Sequence, residues 1–211
     1  MDVSQLVQTV AIYALPVLFA ITLHEAAHGY VARHFGDLTA HAQRRITLNP
    51  LRHVDAIGTV LVPLAILLVS GGKFLFGWAK PVPVNYSALR NPRQHMAWVA
   101  AAGPGANLVM ALGWAIAFHL APFLPQFFAE PLGYMSEAGI RVNLVLMFLN
   151  LIPILPLDGG RILATLLPIR AAGQYARLEP LGLPLLVLLL FTDVLGRLLG
   201  PLVIASESIL R

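Results

Sequence analysis

The sequence predicts an all-α, polytopic membrane protein with about 5–6 hydrophobic segments. Three observations carry that expectation. Apolar residues make up 58% of the 211 residues and charged ones only 11%, against roughly 25% charged in a soluble domain. The mean hydropathy is +0.77. Some stretches free of Lys, Arg, Asp and Glu approach or exceed the roughly 20 residues a helix needs to cross a bilayer, and a helix satisfies its own backbone there. The net charge of +4 and pI near 9.9 come without a basic stripe interleaved with aromatics, so nucleic acid is not an expected partner. Membrane orientation accounts for the charge better. With no cysteine in the chain, disulfides, thiolate metal sites and a cysteine nucleophile are excluded, and any metal must be held by His and carboxylate.

The first segment runs from about Ser4 to Phe35 and contains the uncharged run Leu6 to Leu23. Pro16 within it is of the kind membrane helices tolerate. No basic region precedes the run and no small-residue cleavage signature follows it, so a retained helix is expected rather than a signal peptide. The second segment, Ile57 to Ser70, is too short for a crossing and suggests a re-entrant excursion. With the Pro-containing stretch after it, it predicts a re-entrant extended segment near residues 73–88. The third segment, Met96 to about Pro125, is long enough to span. The fourth runs from Val142 to Asp158. The last, Leu181 to about Ser206, is interrupted by Asp193 and Arg197 and makes one span or two short ones. Residues 1–211 read as one membrane domain.

Basic residues orient the connections. Arg33, Arg44, Arg45 and Arg52 lie in 33–55, Lys73, Lys80, Arg90 and Arg93 in 73–93, and Arg161, Arg170 and Arg177 in 161–177. These are expected in the cytoplasm. The stretch 121–140 holds Glu130 and Glu137 with no Lys or Arg and is expected on the opposite side. The first segment then enters from outside, and the third and fourth form an outward and inward pair.

His24-Glu25-Ala26-Ala27-His28 lies at the inner end of the first segment. Residues four apart share a helix face, so His24 and His28 can reach one Zn²⁺ while Glu25 is placed to take a proton from water at the metal. A catalytic zinc needs a third protein ligand. Within or beside apolar sequence the candidates are His119, Asp158, Asp193, His53 and Asp55. Asp158 stands out, because Pro153, Pro156, Gly159 and Gly160 around it predict an interrupted helix, tolerated at membrane depth only where it lines a cavity or is buried. Otherwise Asp158 caps a helix or binds Arg161. His119 reads as a hydrogen-bonded or interfacial residue, His34, His41 and His95 as loop or interface residues, His53 and Asp55 as structural, and Asp193 with Arg197 as an i,i+4 pair.

HEAAH in the first segment, Gly103-Pro-Gly-Ala-Asn107 in the third, and Asn150-Leu-Ile-Pro153 leading to Leu157-Asp-Gly-Gly160 in the fourth resemble the site-2 protease family of intramembrane zinc metalloproteases. The resemblance extends to Ile46–Pro50, His53-Val-Asp55 and Gly77–Asn85, covering about residues 20–165 as a catalytic core. It is closest to short bacterial and archaeal members without a PDZ or regulatory domain. It implies that His24, His28 and Asp158 hold one Zn²⁺, that Glu25 is the catalytic base, and that Asn107 and Asn150 hold substrate or stabilise the oxyanion. It also implies a transmembrane or membrane-anchored protein substrate, the lipid bilayer as surroundings, and a multi-pass location in a prokaryotic cell membrane with the active site towards the cytoplasm. The other reading is a proteolytically silent zinc-containing scaffold or binding protein. Pro81 and Pro83 share one parity, so if Gly77–Asn85 is a strand, Lys80, Val82 and Val84 keep their N–H groups on the other edge. That edge is expected to add to an unwound substrate.

Overall fold

The computed structural model describes residues 3–62, 65–66, 77 and 79–211, and among them secondary structure is helical, with no strand. Helix α1 (Val3–His34) leads to a single turn, α2 (Thr39–Ala42). Later in the chain come α3 (Pro92–Leu120), α4 (Gln126–Asn150) and α5 (Asp158–Leu166). The chain closes with α6 (Ile169–Ala176), α7 (Glu179–Phe191) and α8 (Val194–Leu210). Among the described residues three helices are long and apolar enough to cross a membrane: Val7–His34, Pro92–Phe123 and Gln126–Asn150. The pair α6 and α7, bent by 62°, makes a fourth if it is one span.

Against the expected 5–6 segments, the described residues hold 3 or, with that bent pair, 4 candidate spans. The expected segment Val142 to Asp158 corresponds to the candidate span α4, of which it covers the second half and the turn after it. The helix starts at Gln126, just beyond the 3-10 turn Ala121–Phe123, so most of 121–140 is helix rather than loop. Glu130 and Glu137 dilute the apolar character of that first half and hide its start. The last segment is two helices, broken where Asp193 takes a left-handed φ of 58°. The expected re-entrant region falls partly outside the described residues. Its described parts are a π-helical turn, Ala56–Leu61, capped by Asp55, and an irregular passage over 79–85.

Small side chains bring the helices together. Ala20, Ala26 and Ala32 of α1, Ala100, Gly103 and Ala111 of α3, and Ala138 of α4 are buried, which allows close backbone approach where lipid is as apolar as leucine. A Cβ on Gly139 would overlap the Trp114 indole. Ala111, Ala115, Ile140, Leu144, Met147 and Val203 form a core joining α3, α4 and α8. A second core, Ala32, Leu89 and Val99 with Val84 and Tyr86 packed on it, closes the end of α1 against α3. Val7, Phe19, Val109 and Ile116 are exposed on the helix surfaces, as suits a face turned to lipid.

One ion pair fastens the last helix. Arg141, inside apolar α4, donates from Nε and a terminal nitrogen to the two carboxylate oxygens of buried Glu207, at 2.7 and 3.1 Å. Arg211 lies 3.7 Å from Glu207 and 3.3 Å from Glu137. Charges persist within a membrane when paired in this way. Removing one partner strands the other in a low dielectric, whereas removing both does not. Arg141→Leu should therefore lower Tm of the detergent-solubilised protein more than the double change Arg141→Leu, Glu207→Leu, as read by thermal unfolding.

Candidate metal centre

Three metal-binding side chains come from two distant stretches of chain. His24 and His28 project from one face of α1, with ring centroids 4.8 Å apart and planes at 84°. Asp158 opens α5 after the turn 151–157, with its Oδ2 at 3.4 Å from His24 Nε2 and 3.5 Å from His28 Nε2. Two glycines permit that turn to close. A Cβ on Gly159 would overlap the Leu151 carbonyl, and one on Gly160 would lie 2.5 Å from the Leu155 nitrogen. Asp158 does not bind Arg161, whose guanidinium pairs with Glu179 at 3.4 Å and lies over the Tyr86 ring.

Hydrogen bonds set which ring nitrogens face inward. His28 Nδ1 lies 2.7 Å from the Val99 carbonyl, which can only accept, so Nδ1 carries the hydrogen. His24 Nδ1 lies 2.6 Å from Asn107 Oδ1. The amide of Asn107 is oriented by its other contacts: Nδ2 donates to the Ala20 carbonyl at 3.3 Å and to Asn143 Oδ1 at 3.0 Å. Asn143 in turn donates from Nδ2 to the Gly139 carbonyl at 2.8 Å. With both asparagines oriented by obligate acceptors, His24 Nδ1 must also be a donor. In the neutral form that binds a metal, each imidazole so held has its lone pair on Nε2.

Those lone pairs face each other and Asp158. The two Nε2 atoms are 3.1 Å apart, and Asp158 Oδ2 is buried without a hydrogen-bond partner. Three acceptors so placed repel one another unless a cation lies between them. Zinc bonds of about 2.0–2.2 Å at tetrahedral angles put ligand atoms roughly 3.3–3.5 Å apart, close to the 3.1, 3.4 and 3.5 Å found here. The residues therefore fit a tetrahedral metal, and His24, His28 and Asp158 are the metal-capable cluster among the described residues. Gly103 makes room for it, since a Cβ there would lie 2.5–2.6 Å from both imidazoles.

Glu25, beside His24, accepts the Val82 backbone N–H through Oε2 at 2.7 Å. The passage 79–85 is held across this carboxylate at several points. Lys80 N–H donates to the His53 carbonyl at 2.8 Å, and Arg45 donates to the Lys80 and Pro81 carbonyls at 3.0 and 3.2 Å. At the other end Asn85 N–H donates to fully buried Asp37 at 2.7 Å.

Two sequence expectations change here. The edge bearing Lys80 and Val82 is not open for strand addition, because both N–H groups already serve internal acceptors and Val82 is buried; Val84 packs into the second core. Asn107, expected to hold substrate or stabilise the oxyanion, is turned into the helix bundle. It is fully buried, and its amide is consumed by His24, Ala20 and Asn143. Asn150 donates to the Leu146 carbonyl within its own helix at 2.9 Å. Of the other candidates, His53 contacts the Thr47 carbonyl and accepts the Lys80 N–H, Asp55 caps a turn, His119 contacts the Leu210 carbonyl, and Asp193 pairs with Arg197. Sequence reasoning missed Asn143, Asp37 and Gly139. An amide in the apolar run of α4 was the available signal for Asn143.

No profile of a known family matches the chain, and no solved structure matches it. Among curated proteins it is similar to "Putative zinc metalloprotease YwhC" of Bacillus subtilis, 37% identical, with 93% of this chain and 88% of that one covered. "Putative zinc metalloprotease Rip2" of Mycolicibacterium smegmatis is 29% identical over 85% of this chain and 66% of its own length. Rip2 of Mycobacterium tuberculosis is 30% identical over 67% and 52%.

Outer partners that orient a metal-bound histidine typically contribute 10–100-fold in metal affinity. Asn143→Ala, which touches no ligand, is accordingly expected to weaken zinc binding by about tenfold in a chelator competition. Gly103→Val should abolish it.

Proposed function

This chain belongs to the site-2 protease family of zinc metalloproteases, and on that premise we propose that it hydrolyses peptide bonds of transmembrane or membrane-anchored proteins at bilayer depth, in regulated intramembrane proteolysis. The observation that carries this reading is the set of three inward-facing acceptors at tetrahedral spacing on apolar helices, with Glu25 next in sequence. A structural zinc site closes with four protein ligands, whereas three leave a position for water. That difference favours an enzyme over a silent scaffold. The arginines after α1 support a site towards the cytoplasmic side, in what we propose is a prokaryotic cell membrane.

In this reading His24, His28 and Asp158 hold one Zn²⁺, which supplies Lewis acidity to activate water and polarise the scissile carbonyl. Glu25 takes the proton from the attacking water and returns it to the leaving amine. The Val82 N–H orients the Glu25 carboxylate, a charge-assisted bond that fixes one oxygen. The Asn107–Asn143 relay keeps His24 in the tautomer that presents Nε2. Asn150, at the end of α4, is the remaining candidate for contact with substrate or oxyanion.

Glu25→Gln should abolish cleavage of a membrane-embedded substrate while leaving one zinc per chain by metal analysis; His24→Ala and Asp158→Ala should lose both. Wild-type cleavage by Glu25→Gln would sink the base assignment. Val82→Pro deletes the N–H that orients Glu25, and hydrogen bonds to charged groups contribute about 1.5–3 kcal/mol. Turnover should fall about tenfold or more on a short soluble peptide and on a transmembrane substrate alike, with zinc retained. A defect limited to the transmembrane substrate would show that the segment acts on substrate rather than on the base.

A further inference from the structure

Away from the metal centre, a cavity of about 400 Å³ opens in the passage after α1, lined by His41, Arg44, Ile46, Thr47, Asn49 and Arg52. No carboxylate lines it. Thr47 Oγ1 already accepts the Asn49 N–H at 3.1 Å, and Asn49 Oδ1 accepts the Leu51 N–H at 3.0 Å. What this hydroxyl and this amide chiefly have left to offer is hydrogen. Among the described residues the Arg44 and Arg52 guanidinium groups, both exposed, have no side-chain partner. The cavity is thus lined by hydrogen-bond donors and positive charge with no carboxylate among them.

The turn that presents Arg44 is tightly held. Arg44 sits at a φ of 52°, a conformation uncommon for a residue with a Cβ. Its N–H and that of Arg45 donate to the His41 and Ala40 carbonyls at 3.0 and 2.9 Å. Arg45 is committed to the passage over Glu25, while Arg44 remains at the cavity. The surroundings identify the anion. The passage follows directly on the candidate span ending at His34, and Leu48 and Leu51 beside the cavity are 60% and 77% exposed. Large exposed apolar side chains flanked by arginines after the end of a span suit the boundary between headgroups and acyl chains.

We propose that this cavity binds the phosphate of an anionic phospholipid headgroup, with Arg44 and Arg52 on the phosphate and Leu48 and Leu51 among the acyl chains. The bound lipid sits one residue from Arg45, which holds the segment over Glu25.

The test uses the full chain in detergent, delipidated and then mixed with phosphatidylglycerol or phosphatidylcholine of identical acyl chains, with retained lipid read by native mass spectrometry. Wild type should retain phosphatidylglycerol preferentially. Each basic charge near an anionic surface contributes about fivefold, so Arg52→Gln should weaken retention about fivefold and Arg44→Asn with Arg52→Gln about 30-fold. Asn tolerates the left-handed turn, and Arg44→Lys with Arg52→Lys should bind nearly as wild type. Equal retention of the two lipids by wild type, or unchanged retention in the neutral variants, would overturn the proposal. So would complete displacement of the lipid by millimolar inorganic phosphate, which would make the cavity a site for free phosphate.

Discussion

Three lone pairs held face to face are the constraint on which the rest of the structure depends. His24, His28 and Asp158 point acceptor atoms at one another within 3.5 Å, an arrangement that costs energy unless a cation is shared. Everything around it keeps those atoms in place. The Val99 carbonyl and the Asn107 amide decide which nitrogen of each imidazole carries hydrogen. Gly103 leaves the volume the rings occupy, and Gly159 and Gly160 let the turn before α5 fold back far enough to deliver the carboxylate.

Several polar groups within the apolar helices are satisfied by partners on a neighbouring helix. The relay from His24 through Asn107 and Asn143 ends on a backbone carbonyl of α4, and so ties α1, α3 and α4 together at the depth of the metal. Arg141 and Glu207 do the same for α4 and α8. In lipid, where apolar contact alone gives little net drive for association, such polar links and small-residue contacts specify which helices pair. The groups that orient the metal ligands also help hold the bundle together.

The described residues between α1 and α3 are held by their own polar atoms. Buried Asp37 takes the Thr39 and Asn85 N–H groups with its two oxygens, clamping both ends of the excursion to the end of α1. Between those clamps, Arg45 and His53 hold the backbone that offers Val82 N–H to Glu25. The base proposed for catalysis is thus oriented by a loop, while the metal ligands are oriented by helices. A loop can be displaced more easily than a helix in a packed bundle, and this one lies across the carboxylate.

The sequence by itself determined the membrane class, the candidate metal ligands and the neighbouring Glu25, because composition, uncharged length and i,i+4 spacing are local properties. The bland readings of His119, Asp55 and the Asp193–Arg197 pair were legible for the same reason. It could not count the spans, since two glutamates in the first half of α4 masked a helix that begins just after α3 ends. Nor could it assign Asn107, whose amide is consumed by partners 36 to 87 positions away, or the Val82 N–H, whose acceptor lies 57 positions back. Strand parity pointed to an edge over 80–84 open to substrate, but no strand forms there and the Lys80 and Val82 N–H groups meet His53 and Glu25. Spacing along a chain reports which atoms share a face; only the folded packing of separate helices decides which acceptor each donor meets.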